Sequence, residues 1–205
     1  MWIKICGITS TRDALAALEA GADAIGLNFI PTSKRYLAPE RARAVADAVR
    51  GKLELVGVVA DLAPAALEAL RAGVGLDWIQ FHGSESPEAL AQVPRSYKAV
   101  GIDGPEDVEA AIAYPGVRLL VDKKAGPARG GTGQAFDWSL VRELSRERPL
   151  ILAGGLNPDN VGDAIREVSP FGVDVASGVE LGTPGLKDPA KMAEFVARAR
   201  GAATT

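Results

Sequence analysis

Short apolar runs alternate with Ala-, Leu-, Glu- and Arg-rich stretches of helical period, and the pair repeats eight times within 205 residues. This rhythm constrains the chain more than any other feature. The apolar runs open near positions 2, 23, 54, 76, 96, 117, 150 and 173, a mean step of about 24 residues. Unbroken strand–helix alternation implies right-handed crossovers and a parallel sheet. Eight such units fit a closed single-domain α/β barrel, the (β/α)8 TIM barrel, near its minimal length of ~200 residues. An open doubly wound sheet would carry a Gly-x-Gly-x-x-Gly turn after the first strand, and none follows Cys6. No linker interrupts the pattern, so residues 1–200 form one barrel and 201–205 a fraying tail.

Strands are expected at Trp2–Cys6, Asp23–Phe29, Glu54–Ala60, Leu76–Phe81, Ser96–Gly101, Val117–Asp122, Leu150–Ala153 and Val173–Ser177. Helices follow at Thr11–Glu19, Pro39–Arg50, Pro64–Ala72, Ser86–Gln92, Pro105–Ala113, Asp137–Arg146, Pro158–Glu167 and Pro189–Arg200. The rhythm breaks at two long connections, around 30–38 and 123–136. In such barrels the site lies at the C-terminal strand ends, on these loops.

Composition narrows the function classes. Charged residues are 24% and hydrophobic residues 47%, as in an ordinary globular chain. The net charge of -3 gives no basic excess for nucleic acid. No apolar run approaches the ~18 residues of a membrane span. The N-terminus lacks a signal-peptide layout, which points to the cytoplasm. Cys6 is the single cysteine, which excludes an internal disulfide. With His82 the single histidine, no structural zinc cluster is available. Asn and Gln are few and Arg outnumbers Lys, a bias shared by thermophiles and GC-rich genomes.

Polar residues collect at the expected C-terminal strand ends. Cys6 closes strand one, His82 follows strand four, and Asp122 closes strand six. Gly154-Gly155 follows strand seven, and Ser177-Gly178 closes strand eight. The glycine turn, with Asn157 as helix cap and Pro158 as first helical residue, would expose backbone N–H groups to an anion. Loops seven and eight are the usual phosphate site of this fold. A thiolate at Cys6 can act as a general base, and Asp122 as an acid if burial raises its pKa. Arg35 can grip a carboxylate with two parallel bonds, which neighbouring Lys34 cannot. His82 and Gln80 share a strand parity, so both are expected toward the pocket. Period two turns Lys4 inward with Cys6, and a buried ammonium needs a partner. Asp174, at matching depth on the adjacent strand eight, is that partner. The glycine-rich stretch Arg129 to Gly133 suits a mobile lid.

At these residues the sequence resembles the phosphoribosylanthranilate isomerase family. The stretches that carry the resemblance are Lys4-Ile5-Cys6-Gly7-Ile8-Thr9, Ser33-Lys34-Arg35-Tyr36 and Ile79-Gln80-Phe81-His82-Gly83. Leu120-Val121-Asp122, Gly130-Gly131-Thr132-Gly133 and Phe136-Asp137-Trp138 follow, then Ala153-Gly154-Gly155-Leu156 and the run from Asp174 to Glu180. Phe81 and Ala176 depart from the usual Leu and Ser. The resemblance implies an Amadori rearrangement of a phosphosugar without a cofactor, Asp122 as general acid and Cys6 as general base. It places Arg35 on the anthranilate carboxylate, His82 and Gly83 at the substrate, and Gly154, Gly155, Ser177 and Gly178 around the phosphate. Assembly as a monomer or homodimer is left open. A related barrel isomerase built on two carboxylates is disfavoured by Cys6 and Arg35. A binding module without turnover is disfavoured by the Cys6/Asp122 pair.

Overall fold

A computed structural model describes residues 1–124 and 137–204. Among the described residues, parallel strands β1 (Trp2–Cys6), β2 (Ala24–Asn28), β3 (Glu54–Val59), β4 (Trp78–Phe81), β5 (Ser96–Ile102), β6 (Leu119–Lys123), β7 (Leu150–Leu152) and β8 (Gly172–Val175) close into a barrel in sequence order. The helices outside it are α1 (Thr11–Glu19), α2 (Pro39–Val49), α3 (Pro64–Val74), α4 (Pro87–Ala91), α5 (Pro105–Ile112), α6 (Arg142–Glu147), α7 (Val161–Val168) and α8 (Pro189–Ala202). Proline opens α2, α3, α4, α5 and α8, where its missing N–H costs nothing. Ser10 caps α1 by accepting the Asp13 N–H at 3.1 Å.

The strands bury both faces, which is why they read as nearly continuous apolar runs. Alternate residues point inward: Trp2, Ala24, Val56, Tyr97, Ala99, Leu120, Ile151 and Ala153 form the barrel interior. Ile3, Ile5, Ile25 and Leu27 point outward and pack with Phe195 and Val196 of α8 and with the other helices. Two register pairs set the site. Cys6 lies opposite Gly26 on β2, and Lys4 lies opposite Asp174 on β8.

At the N-terminal end the barrel is plugged by Arg118. Its guanidinium lies 4.1 Å from the Trp78 ring, 5.0 Å from Trp2 and 5.2 Å from Phe171. Glu54 Oε2 accepts from Arg118 Nη1 at 2.9 Å and from Trp2 Nε1 at 3.0 Å. The aromatic faces and the carboxylate together neutralise a cation that would otherwise be costly to enclose.

Several boundaries differ from expectation. β6 starts at Leu119, and Val117 stays 69% exposed outside the sheet. The helix expected from Asp137 divides into a 3-10 turn, Trp138–Val141, and α6. α7 begins at Val161, because Asn157 Oδ1 accepts from Asp159 and Asn160 N–H and closes a tight turn first. Asn160 is therefore the helix cap, not Asn157. β8 ends at Val175, and Ser177–Val179 forms a 3-10 turn rather than strand. α8 runs two residues past Arg200, and Thr204 Oγ1 bonds back to the Arg200 carbonyl at 3.1 Å. The stretch from Arg129 to Gly133, expected as a lid, lies outside the described residues.

Candidate active site

Cys6 is the last residue of β1, half-buried, with its thiol toward the barrel mouth. The neighbouring strand makes room for it. A Cβ on Gly26 would stand 2.7 Å from Cys6 Sγ, so only glycine fits there. Burial pushes the Cys6 thiol above its ordinary pKa, and Asp174 adds to the rise. The Lys4 and Lys187 ammoniums act in the opposite direction.

Asp122, near the end of β6, is pushed up to about 6. Burial is the larger cause, and the negative charge of Asp174 is the second. Neither adjacent lysine neutralises it in an ion pair: Lys124 reaches Asp107 instead, at 2.6 Å. Loop seven presses on Asp122 from behind. A Cβ on Gly154 would lie 2.9 Å from Asp122 Oδ1 and 2.5 Å from the Lys123 N.

Beneath these two groups the barrel interior is ionic. Lys4 is fully buried, 3.1 Å from Asp174 Oδ1, and donates to Gln80 Oε1 at 2.7 Å. Tyr97 Oη donates to the same Gln80 oxygen at 3.2 Å. Burial pulls the Lys4 ammonium down, but Asp174 more than offsets it and holds the charge in place. The inward Lys4 and its pairing with Asp174 match expectation. Gln80 does not: it is 3% exposed and serves the buried network rather than the pocket. Asp174 Oδ1 makes the ionic contact without hydrogen-bond geometry.

His82 is exposed at the rim, its main-chain N–H donating to the Val59 carbonyl at 2.8 Å. Crowding by protein, then the Lys4 and Lys98 charges, lower its pKa and favour the neutral ring. Gly83 has a packing role of its own. A Cβ there would come within 2.6 Å of the Asp61 carboxylate, and its carbonyl accepts from Lys98 Nζ at 2.5 Å.

Arg35 folds over Gly7, where any Cβ would collide with its Cδ at 2.3 Å. Its Nε and Nη2 donate to Glu180 Oε1 and Oε2, both at 2.7 Å. The two-pronged grip expected for a ligand is thus taken by a carboxylate of the protein, through Nε and Nη2 and not Nη1. Lys34 beside it is exposed.

Gly154 and Gly155 adopt φ of +85° and +75°, a turn that favours glycine. Gly178 packs against this turn so closely that a Cβ would meet the Leu156 carbonyl at 2.0 Å. Loops seven and eight therefore form one surface. Among the described residues, no backbone acceptor takes the N–H groups of Gly154 or Gly155. N–H groups left open in a glycine turn suit an anion.

Sequence reasoning missed Gly26, Glu180 and Lys187. Glycine inside a strand was a visible signal for close approach. Glu180 closes a stretch that carries the resemblance but had no role attached, and Lys187 had no signal. Clefts of about 390 Å³ around Arg50 and Arg95 and about 370 Å³ around Pro94 and Val117 open at the opposite, N-terminal end, away from these groups. No cluster able to hold a metal occurs among the described residues.

A closed barrel with a thiol and a raised carboxyl at its C-terminal rim, beside the glycine turns of loops seven and eight, has the architecture of a (β/α)8 enzyme. The family profile "N-(5'phosphoribosyl)anthranilate (PRA) isomerase" matches residues 3–198. The N-(5'-phosphoribosyl)anthranilate isomerase of Desulforudis audaxviator is 45% identical over 98% of both chains. The crystal structure of phosphoribosyl anthranilate isomerase from Thermotoga maritima superposes with a TM-score of 0.90 at 40% identity, covering 98% of this chain and 99% of that one. Another isomerase structure, in complex with reduced 1-(o-carboxyphenylamino)-1-deoxyribulose 5-phosphate, gives 0.88 at 38% identity over 98% and 99% of the two chains. The chain belongs to the N-(5'-phosphoribosyl)anthranilate isomerase family.

Proposed function

We propose that this enzyme opens and isomerises N-(5-phosphoribosyl)anthranilate to 1-(2-carboxyphenylamino)-1-deoxyribulose 5-phosphate, in tryptophan biosynthesis, with Asp122 and Cys6 as the acid and base. The raised carboxyl of Asp122 carries the reading, because a carboxylic acid still partly protonated near neutrality can donate. Asp122 gives its proton to the ribose ring oxygen as the C1–O bond breaks. The anilino nitrogen lone pair moves into that carbon and leaves an iminium. The iminium makes the C2 hydrogen acidic, and the Cys6 thiolate removes it. The electron pair returns to nitrogen as an enolamine, which tautomerises to the ketone. The substrate nitrogen is itself the electron sink, so the chemistry draws on no cofactor.

Arg35 faces the anthranilate carboxylate through its Nη1 edge. Gly154, Gly155, Ser177 and Gly178 hold the phosphate, with His82 and Gly83 at the rim beside the sugar. The enzyme works as a monomer or homodimer on this small-molecule substrate; a T. maritima relative is described as dimeric. No described helix is long and apolar enough to cross a membrane.

The test is the loss of substrate fluorescence when the purified protein meets freshly made phosphoribosylanthranilate. Turnover well above the spontaneous rate is expected. Asp122→Asn and Cys6→Ala should each lose about 10²–10⁴-fold while remaining folded. Near-normal turnover in either variant rejects that residue's role.

A further inference from the structure

Glu180 and Lys187 take no part in the proton transfers, yet both are buried beside the site. The Glu180 side chain is 5% exposed and that of Lys187 is fully enclosed. Glu180 binds Arg35 with both oxygens at 2.7 Å. It also accepts from the Gly185 N–H at 2.8 Å and from Lys187 Nζ at 3.1 Å. Lys187 Nζ donates further to the Ala176 carbonyl at 2.8 Å. The loop bearing these residues is fixed at two more points. Thr9 Oγ1 donates to the Gly185 carbonyl at 2.7 Å, and the Lys187 N–H reaches Asp13 Oδ2 at 3.4 Å.

The charges decide what this arrangement can do. Arg35 and Glu180 alone would make a neutral pair. A ligand carboxylate approaching Arg35 would then also meet the Glu180 carboxylate directly behind it. Lys187 removes that penalty. The three side chains in ionic contact carry two cations and one anion, a net +1, with the Asp13 carboxylate meeting the Lys187 main-chain N–H rather than its ammonium. The Lys187 ammonium faces Glu180, Arg35 and the Cys6 thiol, and that thiol is held neutral by burial. The surplus charge emerges at the edge of Arg35 not engaged by Glu180.

We propose that Lys187 is a specificity-determining residue: a buried counter-charge that cancels Glu180, so that Arg35, held rigid by Glu180, keeps a full positive charge for a substrate carboxylate. Glu180 is the positioning residue of the same device. It fixes the plane of the guanidinium, so the arginine loses little rotamer freedom on binding. The proposal rests on the reading that Arg35 meets the anthranilate carboxylate.

The test compares two ligands on the intact chain. One is reduced 1-(o-carboxyphenylamino)-1-deoxyribulose 5-phosphate; the other is the same molecule without its ring carboxyl. Wild-type protein should prefer the first. Lys187→Met should weaken the first by about tenfold or more, the effect of one charge in a partly buried site, and leave the second within about twofold. The double variant Lys187→Met/Glu180→Gln, again at net +1, should recover the preference. Equal weakening of both ligands, weakening of neither, or no recovery in the double variant overturns the proposal. Arg35→Met separates the two levels. If it keeps the carboxylate preference, the Arg35 reading itself fails. If it loses the preference while Lys187→Met retains it, only the role of Lys187 fails. Should Lys187→Met not fold, Lys187→Gln, which removes the charge but keeps a donor for Glu180 and the Ala176 carbonyl, must weaken the carboxylated ligand alone; equal effects on both ligands, or on neither, overturn the proposal.

Discussion

Gly26 of β2 lies directly opposite Cys6 of β1, and a side chain there would stand 2.7 Å from the sulfur and 3.1 Å from the Cys6 Cα. The thiol occupies space that one neighbouring residue leaves empty. Gly26→Ala should therefore push the sulfur aside without touching substrate. A displacement near 1 Å costs about 10²-fold in rate, so kcat should fall by roughly that factor with a modest change in KM. Unchanged kcat would mean that the thiol position is not critical.

The two proton-transfer groups predict an unusual pH profile. The working pair is protonated Asp122 with ionised Cys6. Asp122 sits at about 6, and the thiol is pushed above its ordinary value. Between those two points every gain in thiolate with pH is matched by an equal loss of carboxylic acid. kcat/KM should thus be flat across neutrality, fall below about pH 6, and fall again above the thiol value. In Asp122→Asn the compensation disappears, and the residual rate should climb with pH through the neutral range. A flat residual profile would remove Asp122 from the acid role.

The same carboxyl weakens the fold. A carboxyl raised from its usual value near 4 to about 6 binds its proton more tightly folded than unfolded. The penalty is absent below pH ~4, grows as pH rises toward ~6, and is complete above, at about 2–3 kcal/mol. Asp122→Asn should consequently be more stable than wild type at pH 8, with the gain gone near pH 4. Thermal melts at both pH values check this. An equal gain at both would assign it to packing instead.

How far the site was legible depended on whether its partners lie within one repeating rule. Lys4 and Asp174 were legible, because side-chain alternation and ring closure between the first and last strands place them at one depth. Arg35 and Glu180 were not. They are 145 residues apart, and a loop conformation, not a strand register, brings them together. The start of α7 was misread for a chemical reason. An Asn followed by Pro suits a helix cap and an Asx turn equally, and here the turn formed. Gly83 was legible as a glycine but not for its purpose, since nothing local announces that the Asp61 carboxylate will press against it.

The buried Lys4–Asp174 pair should be unforgiving to single substitution. Lys4→Met leaves the Asp174 carboxylate enclosed at 8% exposure without its counter-charge, and leaves Gln80 with Tyr97 as its remaining donor. Breaking such a pair costs about 3–5 kcal/mol, whereas replacing both partners can be nearly neutral. The urea midpoint should drop sharply for Lys4→Met and recover substantially in Lys4→Met/Asp174→Asn. A double variant as unstable as the single one would show that packing, not charge, governs the position.

Arg118 tests the division of labour between the two ends of the barrel. It contacts three aromatic rings and Glu54 at the N-terminal end, far along the strands from Cys6 and Asp122. Its side chain is 12% exposed, so its ring contacts are largely desolvated, and each is worth about 0.5–2 kcal/mol. Arg118→Ala also takes the ionic partner from Glu54, which keeps only the Trp2 Nε1–H. A loss of about 2–4 kcal/mol in stability is expected. The specific activity of the folded fraction should stay unchanged, because the C-terminal loops that hold the site are not touched. A fall in kcat at full folding would show that the plug is coupled to the site through the barrel interior, along the Tyr97, Gln80 and Lys4 chain that spans it.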